Sequence, residues 1–390
     1  MDQLYKSLEI KRGESLSSLE EKYKGLLSGQ QYKLRLPSSL HSAGGLGVEV
    51  ALIQLIGTWL RTGEYKKIFH SHQDSTADAF EKICLSMYGL ATLTLVDEIK
   101  SKSGDKISKG VALQGAKNTI ESMRKRDYEK CFKSRYFGLP CIKMPTYDKE
   151  FHVPFYNGDH VIDSDAFYKQ IVKIVENKMG EKGRKATLES MIDFRDLSEL
   201  LWELFKNTHD HGREDTLGNF LPLNFRGILI QQNDLTKDYF DIWCGKSPSI
   251  AQQNLKKNWE NNERKNFVLD ISIFDFGSGF FDLVKTKTGI EINDKGKTSA
   301  ILKCFEEGWS RLPKSNRGSG LTKVLQCINK YHGWLRVRTD NLVIEKTFVE
   351  GDSPCITEND IRVLENKVVG TSIHISLLVN PIEIVASGDK

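Results

Sequence analysis

The spacing of apolar positions changes along the chain, and each change places an element. Residues 32–37 (YKLRLP) alternate apolar and polar and predict a strand, 44–61 a helix, and 67–70 a strand. A helix is predicted over 77–87, and residues 91–96 (ATLTLV) are rich in β-formers. This β-α-β-α-β order predicts a small α/β module up to about residue 100, followed by one basic helix over 110–132. Beyond Pro145, residues 151–156 and 160–162 flank an Asn157-Gly158 turn and predict a hairpin. Helices are predicted over 165–179, 187–209, 297–308 and 321–332, and strands over 227–230, 267–274, 334–338 and 371–377. Strands mixed with helices predict an α/β sandwich, a helix layer on one sheet.

Composition removes several classes. A 390-residue chain with 39% hydrophobic and 28% charged residues and nine prolines is ordinary globular protein, long enough for two domains. The most apolar run, 46–60, is shorter than the ~20 residues that span a bilayer. The amino-terminal residues lack the pattern of a signal peptide, so no membrane association and a cytoplasmic location are expected. Seven scattered cysteines without a CxxC pair suggest reduced thiols. The net charge of +4 conceals a local excess: residues 102–135 hold ten Lys/Arg against Asp105, Glu121, Asp127 and Glu129. Charge alone admits nucleic acid there, but a solvated face or a protein-docking surface is the favoured reading.

Four motifs carry candidate chemistry. In residues 198–211 (SELLWELFKNTHDH), Glu203, Asn207 and Asp210 fall at i, i+4 and i+7, on one face of a helix. Asp275-Phe276-Gly277-Ser278-Gly279 follows an apolar strand, where glycines let backbone approach a planar ligand and a carboxylate can accept a hydrogen bond. Arg317-Gly318-Ser319-Gly320-Leu321, with Lys314 nearby, opens a helix, and a glycine-rich helix N-terminus suits phosphate. Gly370-Thr371 starts the last strand. Each has a bland alternative: a surface helix, a glycine turn, a helix start, a strand turn. Gly245-Lys246-Ser247 is not a P-loop, because Phe240 stands where that motif needs glycine. His209 and His211 lack a third candidate ligand, and helix packing is their favoured reading over zinc.

As an ordered set, E-x3-N-x2-D, DxGxG, GxGL and GT resemble the GHKL ATPase superfamily of gyrase, heat-shock chaperones, histidine kinases and MutL. His332-Gly333 also looks like that family's HGG turn, with Trp334 in place of its last glycine. The resemblance covers roughly residues 150–385. It implies a C-terminal Bergerat α/β sandwich with a mixed sheet over 146–390, enlarged by an insertion at about 214–265, beside a smaller N-terminal α/β module over 1–145. It implies ATP and Mg²⁺ as ligands. Asn207 would hold the metal and Glu203 would orient or deprotonate the nucleophile, with Asp210 on the same helix face. Asp275 and Thr371 would bind adenine, and Gly277 and Gly279 would line it. Gly318, Gly320 and Leu321 would bind phosphates, with Lys314 or Arg317 neutralising charge.

Only 19 residues follow Thr371, so a gyrase-like strand-passage machine is not expected. His41 lacks the neighbours of a phosphoacceptor box, so a sensor kinase is not expected either. The expected function is a Mg-ATP-dependent switch with ATP hydrolase activity, acting on the N-terminal module or a protein partner, with a homodimer allowed. Two alternatives stay open: a serine/threonine kinase similar to anti-sigma-factor kinases, and a non-catalytic nucleotide-binding protein whose basic segment contacts nucleic acid.

Overall fold

A computed structural model describes residues 5–72, 77–132, 135–143, 154–178, 192–215, 217, 219–260, 267–279, 281, 293–305 and 320–379. To residue 143 the chain runs β1 (Lys6–Glu9), α1 (Leu16–Leu26), β2 (Tyr32–Arg35), α2 (Val48–Arg61), β3 (Ile68–His70), α3 (Ala77–Cys84), α4 (Met87–Leu95), β4 (Glu98–Lys100), β5 (Lys106–Ile107), α5 (Lys109–Ala112), α6 (Gln114–Arg124) and β6 (Tyr136–Lys143). It continues through β7 (Tyr156–Asn157), β8 (His160–Val161), α7 (Ser164–Lys178), α8 (Phe194–His211), β9 (Asn224–Asp234), α9 (Lys237–Cys244) and α10 (Ile250–Glu260). The remainder is β10 (Phe267–Asp275), α11 (Asp294–Phe305), α12 (Gly320–Lys330), β11 (Trp334–Thr347) and β12 (Ile361–Val379). The fold is mixed α/β. No helix among the described residues is long and apolar enough to cross a membrane.

Two five-stranded sheets organise the chain. The first has the order β1-β2-β3-β4-β5, parallel except for the short edge strand β5. Leu8, Leu34, Phe69, Ile99 and Ile107 share one cross-strand row, and all are buried. The second sheet has the order β11-β12-β10-β9-β6 and is antiparallel at every pairing. The mixed pairing expected after residue 145 is therefore found in the first sheet instead. Helix α2 is buried from Val48 to Trp59, on every side, because it fills the space against β10 and β12 as well as its own half.

Several expectations are corrected. Residues 91–96 are helix rather than strand: Ser86 caps α4 by accepting from the Gly89 N–H at 3.2 Å, and burial of the whole helix overrides β-propensity. The basic stretch is two helices and a 3-10 turn rather than one helix, and Arg126 and Phe132 break it with positive φ. Strand β6 lies before the boundary drawn at 145, yet it pairs with β9 and is the edge of the second sheet. The stretch 214–265, expected as an insertion, contains β9, which is paired on both sides and so belongs to the sheet; α9 and α10 make up the rest of its regular structure among the described residues. Gly245 ends α9 with φ of 62°, a helix terminus and not a phosphate loop.

Candidate functional site

Helix α8 is built as the motif spacing predicts. Asp193 caps it by accepting from the Arg195 N–H at 2.7 Å, and Leu197, Leu201, Leu204, Phe205 and Thr208 form its buried stripe. Glu203, Asn207 and Asp210 lie half-buried on another stripe. Asp210 is paired with Lys206 at 2.6 Å. At the far end of the helix pair, Tyr331 donates to Asp196 at 2.9 Å and accepts from the Asp193 N–H at 3.0 Å, fixing the end of α12 against the start of α8.

Two of the four motifs meet at one end of the second sheet, and the end of α8 reaches them at Gly212. Asp275 and Thr371 are register partners on β10 and β12. The Thr371 hydroxyl lies 3.1 Å from that of Thr339. Gly212, where α8 ends, lies so close to Asp275 that a Cβ there would come within 2.6 Å of the aspartate Cβ. Gly370 has φ of 69°, and a Cβ there would stand 1.9 Å from the Asp275 carbonyl oxygen, so only glycine fits. Gly279, with φ of 80°, faces Gly370 and Thr339 across ordinary van der Waals distances. A Cβ on Gly320 would meet a carboxylate oxygen of Glu203 at 2.6 Å, which sets the N-terminus of α12 against the acid of α8. Leu321 follows in the first turn of α12. Lys314, Arg317 and Gly318 lie outside the described residues.

Asp275 is buried, and desolvation pushes its carboxyl up to about 6. Opposing that rise, its Oδ1 accepts from the Gly277 N–H at 2.8 Å, and Arg61, Arg226 and the Thr371 backbone favour the ionised form. At pH 7 the carboxylate is the major form.

Three contributors were not among the sequence candidates. Asn224 is buried, donates to the Gly212 carbonyl at 2.7 Å, and has an Oδ1 with no hydrogen-bond partner among the described residues. Arg226, fully buried, reaches Thr208 at 3.5 Å and the Tyr156 hydroxyl. Arg61, from α2, reaches the Gly277 carbonyl at 3.4 Å and the Leu223 carbonyl at 3.2 Å. Their partners are distant in sequence, and no local motif marks them. His209 is a packing residue: its Nδ1 lies 3.1 Å from the Tyr156 hydroxyl and its Nε2 3.1 Å from an Arg213 nitrogen. Among the described residues no group of three or more His, Cys, Asp and Glu could hold a metal ion.

The arrangement gives one strand end a buried carboxylate beside two glycine turns, with a helix N-terminus against a second carboxylate. Chemically that suits a ligand with a hydrogen-bond donor at one end and an anion at the other. Searches against protein-family models and against curated proteins find no match to this chain.

Proposed function

We propose that the chain binds Mg-ATP at the Asp275 end of the second sheet and hydrolyses it, as a nucleotide-dependent switch built on a GHKL-type sandwich. One observation carries the reading: four segments dispersed between residues 203 and 371 converge, with Gly320 against Glu203, Gly212 against Asp275, and Asp275 in register with Thr371. In this reading Asp275 accepts from the exocyclic amine of adenine, Thr371 completes that contact, and Gly277 and Gly279 leave room for the ring. Gly318, Gly320 and the Leu321 N–H receive the phosphates at the start of α12, where the helix dipole favours an anion. Lys314 or Arg317 neutralises charge developing in the transition state. Glu203 orients or deprotonates the attacking water.

Asn207 lies one turn beyond Glu203 on α8, and its amide oxygen is a hard donor of the kind magnesium accepts. Magnesium, when bound there, neutralises charge on the phosphates. Asp210 supports that helix face through Lys206.

The test uses pure protein and ATP labelled at the γ-phosphate. Release of free phosphate that falls about 100-fold in Glu203→Ala supports the hydrolase, and Asn207→Ala is expected to lose magnesium dependence. Label transferred to a protein replaces hydrolysis with the kinase reading. Nucleotide retained with neither outcome leaves a non-catalytic binder. No binding, with Asp275→Asn indistinguishable from wild type, defeats the proposal.

A further inference from the structure

Helix α2 belongs to the N-terminal half, yet one stripe of it abuts both glycine turns of the candidate site. Gln54 donates to the Arg338 carbonyl at 3.0 Å and accepts from Ser372 at 2.8 Å, beside Gly370. Thr58 accepts from the Val369 N–H at 3.0 Å. Gly57 is the floor under Phe276 of the DxGxG turn, since a Cβ there would stand 2.6 Å from the ring. Arg61, one turn further, ends on the Gly277 and Leu223 carbonyls. Positions 54, 57, 58 and 61 therefore form one face, at i, i+3, i+4 and i+7.

We propose that Arg61 is a positioning residue for the base-binding carboxylate Asp275: its guanidinium holds the DxGxG turn by the Gly277 carbonyl and supplies the cation opposite that carboxylate, so the base pocket is built from both halves of the chain. The inference rests on the nucleotide reading above. Arg61 is itself largely buried, and desolvation lowers its pKa to about 10 while Asp275 raises it, so it stays a cation at neutral pH. Among the described residues, the charged groups that act on Asp275 are Arg61 from α2 and Arg226 from β9, and both favour its ionised form. Arg226 is already engaged with Tyr156 and Thr208 on the α8 side. Arg61 has two carbonyls as its hydrogen-bond partners, and its charge answers to Asp275.

The sign of the consequence is fixed. Asp275 must be ionised to accept from an amine, so affinity is lost as pH falls through about 6. Removing a nearby cation raises that midpoint. Full-length wild type, Arg61→Gln and Arg61→Lys are titrated with adenosine and with ATP from about pH 5.5 to 8.5 by calorimetry. Arg61→Gln is expected to move the acid midpoint up by about one pH unit, weakening adenosine about fivefold at pH 6 and leaving it near wild type at pH 8.5. Arg61→Lys keeps the charge and is expected to hold the midpoint within about half a unit. Equal weakening at every pH, or a Lys variant that shifts as far as the Gln variant, overturns the positioning role. If Arg61→Gln does not fold, Arg61→Met, also uncharged, takes its place, and a Met variant whose midpoint stays at that of wild type overturns the positioning role. Wild type that binds neither adenosine nor ATP at any pH overturns the nucleotide reading itself, a result distinct from normal binding with an unshifted profile.

Discussion

On the face of the second sheet that meets α8, Ile228, Ile230, Leu269, Ile271, Ile273, Ile373, Ile375 and Leu377 present hydrocarbon, and Asn224, Arg226, Asp275 and Thr371 gather at one end. The face that meets α2 is equally buried but carries Gln231, Asn233, Asp270, Ser272, Ser372, His374 and Ser376. There, Asp270 accepts from the Leu46 N–H at 2.8 Å and from Asn233 at 3.2 Å, and lies 3.2 Å from His374. Glu49 of α2 accepts from Tyr136 at 2.6 Å, Gln231 at 2.8 Å and the Met87 N–H at 2.9 Å. Apolar packing is non-directional, so the first face holds a helix without fixing it to a single register. Hydrogen bonds are directional, and a buried polar group left unpaired costs more than the bond gains. The second face therefore specifies how the N-terminal half docks, and it brings α2 to the rear of the two glycine turns.

The largest expected effect tests the apolar face. Ile271 is fully buried between Ile230 and Ile375. Ile271→Ala should cost about 4 kcal/mol, since the lost burial and the cavity add. Urea unfolding at pH 5 and pH 8 should give the same loss at both, because no titrating group is touched. A loss that changes by more than about 1 kcal/mol between the two would blur the distinction between the faces.

The polar face should respond to pH instead. Burial pushes Glu49 up to about 7, despite its four hydrogen-bond donors. A group whose pKa is raised by folding contributes stability that is fully present below its unfolded value of 4.5 and is lost as pH rises through about 7. Glu49→Gln cannot ionise and should remove about 3 kcal/mol of that decline. Unfolding free energies measured across this range should slope downward in both proteins but less steeply in the variant, because the share that Asp275 contributes up to about pH 6 remains. Parallel slopes would mean that Glu49 is not what makes the α2 seam pH-sensitive.

Much of the first face was legible in sequence, and little of the second. The run 267–274 reads as a buried strand whatever its Asp270 and Ser272 do, because their partners are distant: Asp270 accepts from the Leu46 N–H, 224 positions earlier, and Ser272 lies against His374 of β12, 102 positions later. Strand β6 was missed for a local reason: Gly138 and Pro140 sit inside it, and proline demotes a strand. Its place at the sheet edge, with Pro140 opposite Gly227, is where such a residue is tolerated. The candidate site followed the same rule. Glu203, Asp275 and Thr371 were marked by spacing within short motifs, while Arg61 was invisible because its partner Gly277 lies 216 residues away.

The smallest expected effect is the sharpest test of directionality. Ser272 and His374 lie 2.8 Å apart, Oγ to Nδ1, and both are buried. The other ring nitrogen of His374 lies 2.8 Å from the Ser376 hydroxyl and so keeps that contact when Ser272 is changed. Ser272→Ala removes only the hydroxyl and leaves Nδ1 buried without a partner, which should cost about 1 kcal/mol. In a double-mutant cycle with His374→Phe, which keeps a ring against Trp334, the coupling should be of that same size. Thermal unfolding of the four proteins measures it. A coupling near zero would mean the layer tolerates its polar groups without using their geometry. In that case the row between β10 and β12 would be set by burial rather than by its own geometry, and the hydrogen bonds that reach the sheet from α2, Gln54 with Ser372 and Glu49 with Gln231, would be left to carry the register of docking.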